Sequence, residues 1–148
     1  NPCPSAVEKL VSLLETDDNA YVRRATAWSL ANYDNQIVLE PLINALRNDV
    51  AAVRLWSSSS LAEIGNVSVE NAQLAAEQLL ISLKIDNEPG VRSNCIWSLC
   101  RLYEKLNNTF QESFVDECTK IALFDKEPSV MEEAKTALDS MGMQGFYN

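Results

Sequence analysis

The sequence has no histidine in 148 residues. This removes imidazole acid–base catalysis, Ser-His and Cys-His nucleophile pairs and most zinc and iron centres, so no metal site is expected. Cysteine is scarce and badly placed for staples. The four are Cys3, Cys95, Cys100 and Cys118; none forms a CxxC, and Cys95 and Cys100 fall on different faces of one predicted helix. Reduced thiols in a cytoplasmic setting are the expectation, not a disulfide framework. Glycine (4) and proline (5) are few against a 47% hydrophobic content, which excludes a disordered or low-complexity chain. No apolar run approaches the roughly 18 residues a membrane span needs, so no membrane insertion is expected. Cations are in the minority. Lys and Arg number 12 against 21 Asp and Glu, for a net charge of −9. Most arginines stand singly, so nucleic acid is disfavoured as a partner. The chain opens on Asn1 without a charged and then apolar leader; a fragment or trimmed product lacking an N-terminal capping repeat is one expectation.

What the sequence does contain is a repeat. Val22-Arg23, Val53-Arg54 and Val91-Arg92 each stand eight residues before a leucine (Leu30, Leu61, Leu99), and Val130 stands eight before Leu138 with Met131 in the arginine's place. The valines are spaced 53 − 22 = 31, 91 − 53 = 38 and 130 − 91 = 39 residues apart. Such a period, built from helical units, marks an α-solenoid. The expected fold is all-α: a right-handed α-solenoid of about four helix pairs forming a single domain over 1–148, with units at about 5–34, 36–65, 67–107 and 109–142.

Each unit reads as an A helix, a short turn and a B helix. Val7, Leu10, Val11 and Leu14 set the helical spacing of the first A helix, over about 5–15. B helices are expected over about 20–33, 51–64 and 89–106, with a fourth ending near Met141-Gly142. A helices are expected over about 38–47, 69–84 and 110–124, and 144–148 as a frayed tail. Asp17, Asp18, Asn48, Asp49, Asp86, Asn87 and Asp125 occupy the turns. Helix capping is their first expected role, and pairing with the arginine after each repeat valine, as a ladder along the array, is the second.

Advancing 100° per residue from each repeat valine sorts the B helices into faces. Thr26, Ser29, Leu30 and Tyr33 fall on the valine's side and should be core. Arg24, Trp28 and Ala31, then Leu55, Ser59 and Ala62, then Ser93, Trp97 and Cys100 fall opposite, on the surface the B helices line. Arg24, Trp28, Leu55, Trp97 and Cys100 are the candidate binding residues. Trp28 and Trp97 serve either as wedges between neighbouring helices or as flat apolar platforms for a partner, with Arg24 able to meet a carboxylate. Trp56 should pack towards the flank, between units. The run Ser57 to Ser60 suits close helix–helix approach. Cys100 is either an idle thiol or one able to hold a ligand. At the N-terminal end, Val7, Leu10 and Leu14 should form an open apolar contact surface.

The acidic or Asn-bearing turn, Val-Arg, small residues and the leucine eight positions on resemble the HEAT-repeat pattern. The stretch from Tyr21 to Leu30 (YVRRATAWSL) further resembles the phycobilisome lyase HEAT-like group. That narrower resemblance implies a chaperone-like bilin lyase subunit. Such a subunit would bind a linear tetrapyrrole bilin as substrate, with no permanently bound cofactor, and orient it for thioether attachment to a phycobiliprotein. A second HEAT-type subunit is the other implied partner, and a plastid stroma the implied setting if the source is algal. The resemblance carries no catalytic motif over to this chain. The alternative reading is a non-enzymatic scaffold or adaptor for protein–protein interaction, possibly associated with phycobilisomes. Two enzymatic HEAT-like groups do not fit. Deoxyhypusine hydroxylase-like proteins need His-Glu pairs, and HEAT-like alkylpurine glycosylases need a basic cleft.

Overall fold

A computed structural model describes residues 4–33 and 36–143. Eight α-helices follow one another among these residues, with no strand. They are α1 (Pro4–Thr16), α2 (Ala20–Ser29), α3 (Leu39–Asn48), α4 (Ala51–Gly65), α5 (Val69–Ile85), α6 (Pro89–Leu102), α7 (Asn108–Phe124) and α8 (Pro128–Ser140). Odd helices are the A helices and even ones the B helices, and each packs on its hairpin partner and on its counterparts in the adjoining units. The result is an α-solenoid.

The expected boundaries need two adjustments. The first and third B helices tighten into 3₁₀ turns, Leu30–Asn32 and Tyr103–Lys105, where they were expected to run on as α-helix. The backbone then turns extended at Tyr33 and Leu106, which ends each helix. α7 begins at Asn108, not Phe110, because the Asn107 side chain accepts the Phe110 N–H as an N-cap. α8 ends at Ser140, two residues before Gly142, whose φ of 76° favours glycine, and the Met143 N–H returns to the Leu138 carbonyl at 2.8 Å. The expected tail, 144–148, lies outside the described residues, as do Asp34 and Asn35.

One core runs the length of the array. The repeat leucines Leu30, Leu61, Leu99 and Leu138 are fully buried in it, as are Val53 and Val130. Of the four first-unit positions assigned to the core, Thr26 and Leu30 are buried, while Ser29 and Tyr33 are half-buried. Ala62, placed on the opposite face, is also fully buried, because neighbouring B helices approach each other closely there.

That approach rests on serine. The Ser60 hydroxyl donates to the Ala27 carbonyl at 2.6 Å, and Ser98, its counterpart one unit on, donates to the Ser58 carbonyl at 2.7 Å. Ser57, Ser58 and Ser60 are all buried, so the serine run is a packing device. Small side chains let the B helices pack more tightly on one another than the A helices do. The B layer is therefore the shorter, concave side.

Candidate protein-binding face

The turn aspartates hold the B layer in register, by a route different from simple capping. Only Asn19 caps its B helix with a side chain, accepting the Tyr21 N–H; the N-cap positions of α4, α6 and α8 are Val50, Glu88 and Glu127, with no side-chain cap. Asp86 and Asp125 instead accept the N–H two residues on, at 3.0 and 2.9 Å, and Asp49 accepts the Val50 N–H at 2.7 Å. So braced, each carboxylate meets the arginine of the preceding unit: Arg23–Asp49 at 2.9 Å, Arg54–Asp86 at 2.8 Å, and Arg92–Asp125, where Nη2 reaches Oδ1 at 3.2 Å. The ladder expected from the sequence is present, running from each unit to the next. The hydrogen bonds to these aspartates raise all three arginine pKa values, and the Arg92 guanidinium holds the Asp125 carboxyl below its ordinary value.

On the concave side, Trp28 is 59% and Trp97 39% exposed, at the same register two units apart. Neither is a wedge sealed between helices. Trp56, half-buried on the flank, meets Trp28 edge-on with ring centroids 6.4 Å apart and planes at 76°. This contact fixes the Trp28 indole while leaving much of it open. Trp97 is steadied differently. The Arg101 guanidinium lies 5.1 Å from its ring centroid and pairs with Glu63 of α4 at 2.9 Å. Arg24 is exposed, 5.5 Å over the Tyr21 ring, itself 75% exposed.

The remaining candidates are less open than expected. Leu55 is half-buried, and its carbonyl accepts the Asn94 side-chain amide at 3.0 Å, with Ser58 and Ser59 also on that amide. Cys100 was placed on the open face; it sits half-buried at the seam with α8, beside Ser140, and burial pushes its thiol up to about 11. Such a thiol stays protonated near neutrality. Cys95 and Cys118 are buried, and their thiols are likewise raised by desolvation.

The terminal contact is corrected. Val7 and Leu14 are 2% and 3% exposed, because that stripe of α1 turns inward onto α2 and α3. Leu10 is half-buried, and among the described side chains of α1 the large apolar residue left exposed is Leu13. Sequence reasoning also missed Tyr21, Glu63 and Arg101. The spacing of Tyr21 from Arg24 and of Trp97 from Arg101, three and four residues on a helix, was the available signal. Also missed were Ile85 and Phe124, which end α5 and α7 at 75% and 79% exposure. Cavities of about 740 and 720 Å³ open elsewhere, along the turn edge, around Arg23–Asp49 and Arg54–Asp86.

A family model for HEAT repeats matches residues 7–100, which is 94 of the 148 residues. The chain belongs to the HEAT-repeat family. Its fold is also similar to the solved structure of a designed armadillo repeat protein in complex with the peptide (KR)4. The TM-score is 0.65 at 20% identity, over 96% of this chain and 72% of that one. That likeness concerns the fold. Among the described residues, no helix is long and apolar enough to cross a membrane.

Proposed function

We propose that the chain is a non-catalytic HEAT scaffold that grips a protein segment along the concave face of its B helices. The observation that carries this reading is the pair Trp28 and Trp97, exposed at one register and each in contact with a neighbouring side chain, Trp56 and Arg101. Braced aromatic rings bind at small entropic cost, which is why tryptophan dominates interface energetics. The partner's chemistry follows from the two ends of the face. Tyr21, Trp28 and Trp56 make the α2–α4 end aromatic, while Glu132 and Glu133 add acid on α8. A segment with apolar anchors at one end and cations at the other fits both, and the net charge of −9 favours a basic one. The (KR)4 peptide held by the armadillo protein is consistent with this chemistry on a related architecture.

A displayed-peptide selection against the intact chain tests the reading. Enriched peptides should join aromatic or leucine anchors to Lys or Arg, and should not bind the Trp28→Ala/Trp97→Ala variant. No enrichment, or enrichment of peptides that bind both proteins equally, sinks the proposal.

The finer role implied by the lyase resemblance, bilin handling for a phycobiliprotein, has less to support it. The chain offers no histidine base, and among the described residues the thiol nearest the face, Cys100, is half-buried with its pKa raised by burial. Mixing with phycocyanobilin separates the two readings. A red-shifted, intensified band would favour the bilin role, and an unchanged spectrum the scaffold.

A further inference from the structure

The residue just before the turn aspartate lies open in all four units, as Thr16, Asn48, Ile85 and Phe124. It is polar in the first two units and large and apolar in the last two. Neighbouring units do not decide its exposure, because Thr16, Asn48 and Ile85 each have a following unit and stay open. Packing therefore does not call for isoleucine and phenylalanine here. One turn back on α5, Ile81 is also exposed, and with Ile85 it lines the cavity of about 720 Å³ between α3 and α5. Phe124 lines a cavity of about 210 Å³ between α5 and α7. Large apolar side chains left open on adjoining units mark a contact surface.

Lysines surround these side chains. Lys84 and Lys120 line the Phe124 cavity, and Lys84 and Lys126 line another of about 260 Å³ that shares Arg92 and Asp125 with it. The acids of this edge lie deeper. Side-chain exposure is 7% for Asp86, 10% for Asp125 and 13% for Glu117, against 71% for Lys120. Asp86 and Asp125 are also engaged by Arg54 and Arg92. Glu117 stands 3.7 Å from Lys120, and Glu127 is half-buried. Lys84 and Lys126 are exposed, and neither forms an ion pair among the described residues. A lysine in the last turn of a helix complements the helix dipole, which accounts for Lys84. It does not account for Lys126, which follows α7, or for the open Phe124 ring. In a chain of net charge −9, the outermost charges at this edge are ammonium groups.

We propose that the turn edge of the third and fourth units is a second docking surface, which takes an acidic protein segment carrying an aromatic or leucine anchor. The anchor packs on Ile85 and Phe124, and carboxylates beside it meet Lys84, Lys120 and Lys126. This surface shares no residue with the concave face and has the opposite charge preference. Charge decides the occupant. Three ammonium groups turn a basic segment away, and a second copy of this chain brings its own net charge of −9 against the first.

Two displayed-peptide libraries test this on the full chain. Both carry a central Phe or Leu, flanked by Asp and Glu in one and by Lys and Arg in the other. The acidic library should yield binders whose affinity is unchanged by Trp28→Ala/Trp97→Ala, which separates this surface from the concave one. Ile85→Asn/Phe124→Thr brings in the residues of the first two units and should weaken these binders about a hundredfold. Lys84→Gln/Lys120→Gln/Lys126→Gln should weaken them about tenfold, by a margin that shrinks as salt rises. Circular dichroism confirms folding; if the apolar variant loses helix, the lysine variant carries the test. No enrichment from the acidic library, or acidic binders that tolerate the substitutions at this edge, overturns the proposal. So does self-association in sedimentation velocity that Phe124→Thr abolishes, since a second copy would then be the occupant.

Discussion

Arg54 and Asp86 tie the second unit to the third through two parallel bonds, Nε to Oδ2 at 2.8 Å and Nη2 to Oδ1 at 3.0 Å. The remaining terminal nitrogen, Nη1, donates to the Asp49 carbonyl at 2.9 Å, in the turn of the arginine's own unit. One side chain therefore sets the spacing of two turns, and Arg23 repeats the arrangement with the Asp17 carbonyl and the Asp49 carboxylate. A planar fork can do this and an ammonium cannot.

Arg54→Ala should accordingly destabilise the fold by about 2 kcal/mol, since it strands a mostly buried carboxylate. Arg54→Lys should recover less than half of that. Urea denaturation of the three proteins measures it. A lysine variant as stable as wild type would show that charge alone matters at this joint.

Ser57 and Ser60 should respond in opposite directions. The Ser57 hydroxyl is buried without a hydrogen-bond partner, so Ser57→Ala should leave stability unchanged or raise it by up to about 1 kcal/mol. Ser60→Ala removes the bond to the Ala27 carbonyl and should cost about 1 kcal/mol. Thermal melts of both variants decide it, and a Ser57→Ala variant that melts below Ser60→Ala would contradict the assignment.

Acid should loosen the third and fourth units through Asp125. Its pKa is lowered from 3.8 in the folded chain, chiefly by the hydrogen bond from Arg92, so the folded state favours the charged form. The stabilisation is complete above the unfolded carboxyl value and is lost as pH falls through the lower folded value. The partner arginine, whose pKa is raised further by the same hydrogen bond, adds no pH dependence in this range. Asp125→Asn should be less stable near neutrality and lose less on acidification. Parallel stability curves for wild type and variant from pH 6 to pH 2 would refute this.

Much of the fold was legible because Val-Arg and the leucine eight residues on report one repeated burial pattern. The ladder was legible for the same reason, as arginines and turn acids recur in step. What escaped was anything depending on the distance between neighbouring helices. A helical wheel places Ala62 and Cys100 outside, but the serine-mediated approach of the B helices covers Ala62, and α8 covers much of Cys100. It likewise cannot say which side of α1 faces a neighbour, so Val7 and Leu14 read as open although both are buried and Leu13 is the exposed residue. Trp28 and Trp97 share one register in the sequence and both are exposed, but their contacts with Trp56 and Arg101 needed three dimensions.

If Trp28 and Trp97 form a binding face, their removal should cost binding and not folding. The most direct test measures the affinity of a selected basic, aromatic-anchored peptide for wild type and for Trp28→Ala/Trp97→Ala, with helical content followed by circular dichroism. Affinity should fall about a hundredfold or more while helical content stays near wild type. A double variant that unfolds, or one that folds and binds as well as wild type, would contradict it.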